Sequence, residues 1–257
     1  MHIGDMTVYE QPLNELVRVC LRLESLFLEA DREAGNTSPS GTRHIITTII
    51  SLLQLLERPD LKAKMTRELS TQMYSLSRLA KAPGVDQLKL KTLLDQLDQL
   101  CQKFIESNSK IGQSLRQIEM LNQLRLHLST PGGGCSFDTP LYHYWLEQPA
   151  DRRAATIRDW LAEFDTIRLA SQLILKLLRE ESRVQSRSAV SGFHQEMLDA
   201  QGDLRLIRVL LPKKTEAFPE ISLNRHFMSV RFLIPTIKTR PIQLQEDLPF
   251  WLAWCSA

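Results

Sequence analysis

The first half of the chain repeats apolar residues at helical spacing. Apolar positions recur every three or four residues in five stretches, namely 12–27, 42–59, 60–81, 87–105 and 110–128. This spacing predicts five amphipathic helices. The second is apolar nearly all round, which predicts a central position. Pro59 and Pro83-Gly84 predict the ends of the second and third helices, and Asp86 the cap of the fourth. The short connections predict an antiparallel bundle.

Two further helices are predicted after residue 131. Thr139 and Pro140 have the types preferred at an N-cap and at the first helical position, so a short helix should begin there. A longer helix is expected over 151–181, with a break near Phe164-Asp165. The polar sequences 33–42 and 184–188 predict mobile connections.

The hydrophobic period changes to two near the C-terminus. Strands are predicted over 204–212, 222–235 and 242–254, with a weaker strand over 191–198. Gly202 and the Pro235–Pro241 stretch occupy expected hairpin turns. In the strand around Val230, alternation places Arg225, Phe227, Ser229 and Arg231 on one face. The two arginines would then lie roughly 20 Å apart along the strand.

Helices followed by strands predict an α+β fold. We expect an N-terminal antiparallel helical bundle and a C-terminal antiparallel β-sheet domain. The predicted segments are a mainly helical domain over 1–130, a connecting corner with helices that pack on the bundle over 131–185, and a β-strand domain over 186–257.

Composition indicates an ordinary globular protein. The chain has 257 residues, of which 43% are hydrophobic and 24% charged. It has no signal-peptide pattern and no apolar run of the ~20 residues that span a bilayer, so we expect a cytoplasmic protein. The four scattered cysteines are expected to be reduced thiols. The six histidines do not cluster with them, so neither a metal nor a cofactor is predicted.

The run Gly132-Gly133-Gly134-Cys135 is the main candidate for chemistry. A phosphate-binding loop would need a preceding strand and a following Lys-Ser/Thr, and neither is present, so a structural corner is favoured. Cys135 with His143 as its base would be a nucleophilic pair. A small buried cysteine after a turn is the commoner arrangement. Because G-x-S-x-G, H-E-x-x-H and G-x-G-x-x-G motifs are all missing from the sequence, no enzyme is predicted.

Positive charge is concentrated in the C-terminal part. Between residues 201 and 240 eight Lys/Arg face three acidic residues, an excess of 8 − 3 = +5, although the whole chain carries only +2. Arg225 and Arg231 beside an aromatic residue suit single-stranded nucleic acid or a peptide that carries a carboxylate. A solvated sheet face with two arginines is the plainer alternative.

Several blocks of the sequence together resemble one known family. The blocks "PLNELVRVCLRLE", "APGVDQ", "IGQSLRQ", "LSTPGGGCSFDTPLYHYWL" and "SVRF" occur in the same order as in the ZapD family of division-ring proteins. The resemblance implies a non-enzymatic cytoplasmic homodimer with a helical and a β-strand domain, located at midcell with the division ring. It implies binding to the C-terminal tail of FtsZ, the tubulin-like GTPase of that ring, and bundling of its protofilaments. The interpretation of the glycine run as a structural corner agrees with the resemblance to this family.

The resemblance also implies a positively charged tail-binding surface. Its expected residues are Arg22, Arg58, Arg116, His143, Arg225 and Arg231. Glu119 and Phe227 stand where some relatives carry arginine, so either the groove is less basic here or Arg116 and Arg225 compensate from adjacent positions. The alternative function is a single-stranded nucleic-acid-binding module that uses the basic C-terminal sheet.

Overall fold

The chain divides into two compact units. The computed structural model describes residues 3–78, 80, 84–128, 130–198 and 203–256. One unit, here called the helical unit, is Val19–Leu175. The other, the sheet unit, combines Met1–Arg18 with Lys176–Ala257. The presence of helices followed by antiparallel strands confirms the α+β class. The division into segments 1–130, 131–185 and 186–257 stays a prediction.

The predicted helices are present in the described residues. They are α1 Glu15–Glu33, α2 Pro39–Leu55, α3 Leu61–Arg78, α4 Gln87–Glu106, α5 Glu119–His127, α6 Pro140–Leu146, α7 Ala150–Ala162 and α8 Asp165–Glu180. The interruption between α7 and α8 confirms the break expected near Phe164-Asp165. In α2 nine residues are buried, which confirms that it is a central helix.

Local sequence signals set several helix ends. The carboxylate of Asp86 accepts hydrogen bonds from the backbone N–H groups of Leu88 and Lys89, so the predicted cap of α4 is confirmed. Pro140 occupies the first turn of α6 as expected. Ser38 caps α2 by accepting from Gly41 N, so the start of α2 falls inside the segment predicted to be mobile. Pro83 lies outside the described residues.

The fifth predicted helix begins later than its apolar spacing indicates. A 3₁₀ turn at Leu115–Gln117 precedes α5, and Gly112 has φ = +67°. A Cβ at Gly112 would lie 2.7 Å from Cδ2 of Leu53, so the backbone itself packs against α2. The close packing and the positive φ of Gly112 therefore prevent a continuous helix before Glu119. The prediction of a helix from residue 110 is wrong.

The sheet unit contains eight described strands. They are β1 Met6–Pro12, β2 Arg183–Ala189, β3 Phe193–Met197, β4 Leu204–Pro212, β5 Phe218–Leu223, β6 Phe227–Ile234, β7 Ile242–Gln243 and β8 Leu248–Ser256. They form two antiparallel sheets instead of the single sheet predicted, one in the order β1-β4-β8-β2 and the other in the order β3-β6-β5, with β7 also paired to β6. Gly202, an expected turn residue, lies outside the described residues.

The two sheets share one hydrophobic core. Val209 and Phe250 contribute from the first sheet, and Val230 and Phe232 from the second, and all four are fully buried. The rings of Phe232 and Phe250 have centroids 5.0 Å apart. The alternation predicted for β6 is therefore confirmed on its buried side, since Met228, Val230 and Phe232 all face this core.

Strands β1 and β2 and most of β5 were not predicted from the sequence. Strand β2 pairs with β8 along its whole length, from Arg183 opposite Trp254 to Ala189 opposite Leu248. It is an edge strand in which only Ala189 is buried, so most of its side chains contact solvent. A mostly polar sequence suits this position. The prediction of a mobile connection over 184–188 is therefore wrong. Strand β1 pairs with β4, a contact between distant parts of the chain that hydrophobic period alone does not reveal.

Candidate functional site

A depression in the helical unit brings together two of the predicted arginines. Its volume is about 490 Å³. The lining residues are Arg22, Ser25, Leu26, Ser51, Gln54, Leu55 and Arg58. This set contains two guanidinium groups, two leucines and no acidic side chain. Within the described residues, no carboxylate lies within ion-pair distance of Arg22. The depression therefore combines positive charge with apolar surface.

Helical spacing explains why these side chains share one surface. Positions 22, 25 and 26 of α1, and positions 51, 54 and 55 of α2, follow the i, i+3, i+4 pattern of a helix face, and Arg58 lies three residues beyond the end of α2. The opposite faces are buried, with Leu23 and Phe27 of α1 and Leu52 of α2 in the core. The five other lining residues were not predicted, although helical spacing from Arg22 indicates Ser25 and Leu26.

Arg116 lies at the same end of α2 and is held there by hydrogen bonds. Its Nη2 donates to the carbonyl of Leu53 at 2.7 Å, and its Nη1 donates to Glu57 at 3.1 Å. Glu57 also accepts from Nη1 of Arg125 at 2.5 Å. Only 16% of the Arg116 side chain is exposed. These contacts suit a residue that fixes the end of α2, and direct contact with a ligand stays a prediction.

His143 lies on α6, apart from the residues that line the depression. The His143 side chain is exposed. Its neighbour Tyr142 is buried, and Trp145 stacks on Trp160 of α7 with ring centroids 5.7 Å apart. Aromatic packing therefore holds α6 in place and leaves His143 at the surface of the helical unit.

The two predicted arginines of the sheet unit do not alternate on one strand. Arg231 is on β6, opposite Glu220 of β5, and its Nη1 lies 3.7 Å from Oε2 of that residue. Arg225 lies in the turn before β6, because the Asn224 side chain accepts from His226 N and Phe227 N and so shapes the turn there. The prediction that strand alternation places both on one face is wrong for this reason. Both side chains are nevertheless exposed.

Two arginines of the basic C-terminal segment are engaged inside the sheet unit. Arg208 donates to Glu10 at 3.0 Å, and Arg179 donates to the same carboxylate at 2.6 Å. Arg205 pairs with Asp203 at 2.7 Å. Arg205 and Arg208 are each only 9% exposed. Because these two arginines are nearly buried, they add little to the charge that the segment presents to a polyanion.

The triple glycine forms a structural corner, as expected. Gly132 and Gly134 have φ of +74° and +82°, which favour glycine. A Cβ at Gly133 would lie 1.9 Å from the carbonyl oxygen of His127, so this position excludes any side chain. Cys135 donates its thiol to the carbonyl of Gly132 at 3.0 Å. It is exposed, so the expectation of a buried cysteine is wrong.

The other three thiols lie inside the protein. Cys20, Cys101 and Cys255 are buried, and none of the four cysteines forms a disulfide. Burial, with the nearby carboxylates of Glu68 and Glu24, raises the pKa of Cys20 to about 12. Burial raises the pKa of Cys255 to about 11. Because the thiolate is the reactive form, both groups stay protonated near neutral pH.

The described residues contain neither a metal-binding cluster nor a membrane-spanning helix. There, no three His, Cys, Asp or Glu side chains are grouped as a metal ion would need. In the same part of the chain, every helix falls short of the length or apolarity required to cross a bilayer.

Comparison with known proteins identifies the family. Residues 21–231 match the ZapD family, described as a cell division protein. The chain is 36% identical to a cell division protein ZapD of Coxiella burnetii over 255 residues, which cover 98% of this chain and 99% of the relative. It is 36% identical over 248 residues to the ZapD of Methylococcus capsulatus, covering 96% and 97% of the two chains. The ZapD of an Azoarcus species is 32% identical over 251 residues, or 98% and 100%. The resemblance seen in the sequence is confirmed, and the chain belongs to the ZapD family of cell division proteins.

Proposed function

We propose that this protein binds the C-terminal tail of FtsZ through the depression between α1 and α2. As a homodimer it would crosslink and bundle FtsZ protofilaments without catalysing a reaction. The observation that carries the proposal is the meeting of Arg22 and Arg58 on one open depression without an acidic lining residue. Membership of a cell division family supports the cellular role.

The chemistry of the depression suits a peptide with acidic and apolar side chains. A guanidinium group donates two parallel hydrogen bonds to one carboxylate, and two such groups lie on this surface. Leu26 and Leu55 add apolar contact beside them. Arg22 is exposed, so its contribution is reduced by solvent and salt. Weak binding by each site is the expected result.

Weak single sites suffice when two act together. A two-fold dimer presents the same depression twice. Each FtsZ filament offers many tails, so a second contact forms at high effective concentration after the first. We infer that bundling depends on this double attachment, in the cytoplasm at midcell. Arg116, His143, Arg225 and Arg231 stay predicted contributors to the tail-binding surface.

Sedimentation of FtsZ polymers tests the proposal. The wild-type protein should pellet with FtsZ and increase light scattering, and both effects should be lost with FtsZ that lacks its tail. Arg22→Glu should weaken tail binding by roughly tenfold or more, because a charge-assisted contact is replaced by repulsion. Arg67→Glu is the matched control, since Arg67 is exposed on α3 outside the depression. Unchanged bundling of tail-deleted FtsZ would refute the tail-receptor role.

The nucleic-acid alternative has less support. It relied on the basic C-terminal segment, in which Arg205, Arg208 and Arg231 each face a carboxylate. A gel shift with single-stranded DNA at moderate salt discriminates the two functions, since tight binding with a steep salt dependence is expected only of the alternative.

A further inference from the structure

A second, smaller cavity of the helical unit is lined by three lysines. Its volume is about 140 Å³, and a cavity of about 150 Å³ accommodates a benzene-sized molecule. It lies where α4 ends and α8 begins. Lys62 of α3, Lys103 of α4 and Lys110 of the following loop line it, together with Glu163 and Thr166. None of these residues lines the depression of Arg22 and Arg58.

Lys62 is a fixed part of the wall. Its Nζ donates to the carbonyl oxygens of Ser107 at 2.6 Å and Ser109 at 2.7 Å, and to Oγ of Ser107 at 3.2 Å. An ammonium group has three protons, so these contacts use all of them. Lys62 thereby joins the start of α3 to the loop after α4 and leaves its positive charge beside the cavity.

The ammonium groups of Lys103 and Lys110 keep N–H donors that are available to a ligand. In the described part of the chain, no carboxylate lies within ion-pair distance of either ammonium group. Glu163 is the one acidic residue among the lining residues, so the lining carries 3 − 1 = +2 charges. Two uncompensated ammonium groups on one small concave surface are stabilised by an anion that contacts both.

We propose that this cavity binds a phosphate group, either inorganic phosphate or the phosphate of a small monoester. A phosphate of charge near −2 matches the +2 lining, and its oxygens accept from several donors at once. The first turn of α8, which supplies Thr166 and Ile167 to the wall, adds backbone N–H groups that have no partner within the helix. This site is separate from the proposed FtsZ tail receptor and does not depend on it.

Nuclear magnetic resonance titration of the full-length ¹⁵N-labelled protein tests the site. The probes are inorganic phosphate and glycerol 3-phosphate, with sodium chloride at equal ionic strength and succinate as comparisons. We expect saturable shifts of the Gly112, Thr166 and Ile167 amide signals with a dissociation constant of roughly 1 mM or lower. The tighter of the two phosphate probes identifies the source of the group.

Paired variants make the result specific. Lys103→Gln with Lys110→Gln should weaken phosphate binding about tenfold or more, since both uncompensated charges are lost. Lys91→Gln on the exposed face of α4 removes the same type of charge outside the cavity and should leave binding unchanged. Lys62 is kept, because its loss would disturb the loop. Absence of saturable shifts, an equal response to succinate, or equal binding by the double variant would overturn the proposal.

Discussion

Glu10 accepts hydrogen bonds from two arginines of the sheet unit. Its partners are Arg179 and Arg208, and the Glu10 side chain is only 16% exposed. Neutralising it would remove the carboxylate that faces two largely buried guanidinium groups. No sequence pattern predicts the role of Glu10, because its partners lie about 170 and 200 positions away. The pairing of β1 with β4 brings Glu10 next to Arg208.

Glu10→Gln is expected to lower the free energy of unfolding by about 2–3 kcal/mol. The urea midpoint measured by circular dichroism gives this value. Glu180→Gln is the control, since Glu180 is 62% exposed and lies 4.0 Å from Lys176. Its loss should be below about 0.5 kcal/mol. Equal effects of the two substitutions would show that the cluster contributes no more than a surface pair.

Glu196 links stability to pH. Burial acts to raise the pKa of this carboxyl, but hydrogen bonds from Arg187 and His194 outweigh it and hold the pKa below its ordinary value. A carboxyl whose pKa is lower in the folded state stabilises the fold above its unfolded pKa. That stabilisation is lost as the pH falls through the folded value.

The urea midpoint of the wild-type protein should therefore decrease as the pH is lowered from about 6 to about 3. Glu196→Gln should show a smaller decrease over this window, because the group that takes up the proton is absent. Glu216→Gln changes another carboxyl of the sheet unit with no resolved contact to this cluster and should keep the wild-type slope. Identical slopes for all three proteins would exclude a role for Glu196.

The residue-scale site was partly predictable. Arg22 and Arg58 were expected from the family resemblance, and both line one depression, while their role in tail binding stays a prediction. Arg225 was placed wrongly because the Asn224 side chain forms a turn within the predicted strand. The alternation of apolar and polar residues does not reveal such a turn. Side chains that organise turns act locally and override the period of a strand.

At the scale of elements, the corner between α5 and α6 depends on a glycine without room for a side chain. The Cβ of an alanine at position 133 would meet the carbonyl oxygen of His127 at 1.9 Å. Gly133→Ala should lower the free energy of unfolding by about 2 kcal/mol or more, since the backbone must shift to relieve the clash. Thermal unfolding monitored by circular dichroism measures it.

Gly35→Ala serves as the comparison for that substitution. Nothing lies within 4 Å of the added carbon at Gly35, and its φ is not positive. Its effect should stay within about 0.5 kcal/mol. Similar stability of the two alanine variants would mean that the corner relaxes without cost, contrary to its role as a fixed turn.

Elements with a strong hydrophobic periodicity were predicted well. Strands that depend mainly on backbone pairing with a neighbouring strand were not. The strand 204–212 was placed correctly, because its run of buried residues is bounded by a proline. Strand β2 has a polar sequence and owes its structure to backbone hydrogen bonds with β8. Hydrophobic period reports burial, so it does not detect an edge strand that buries little.

At the scale of the whole molecule, crosslinking requires two copies of the receptor in one particle. Light scattering coupled to size exclusion should give a mass near twice the 29.6 kDa of one chain. Arg22→Glu should keep this mass while losing FtsZ binding, because a binding-surface change need not affect self-association. A monomer at the concentrations that bundle FtsZ would contradict the crosslinking function.

The sheet order has a consequence for how the protein is made. Strand β1 emerges from the ribosome early, yet β4, the strand it pairs with, follows only after residues 13–203. At about 5–20 residues per second, β1 waits roughly 10–40 s for its neighbour. During that interval its backbone groups are open to chaperones and to other nascent chains. A short peptide that copies Met6–Pro12, present during synthesis, should therefore compete for the edge of β4 and slow maturation.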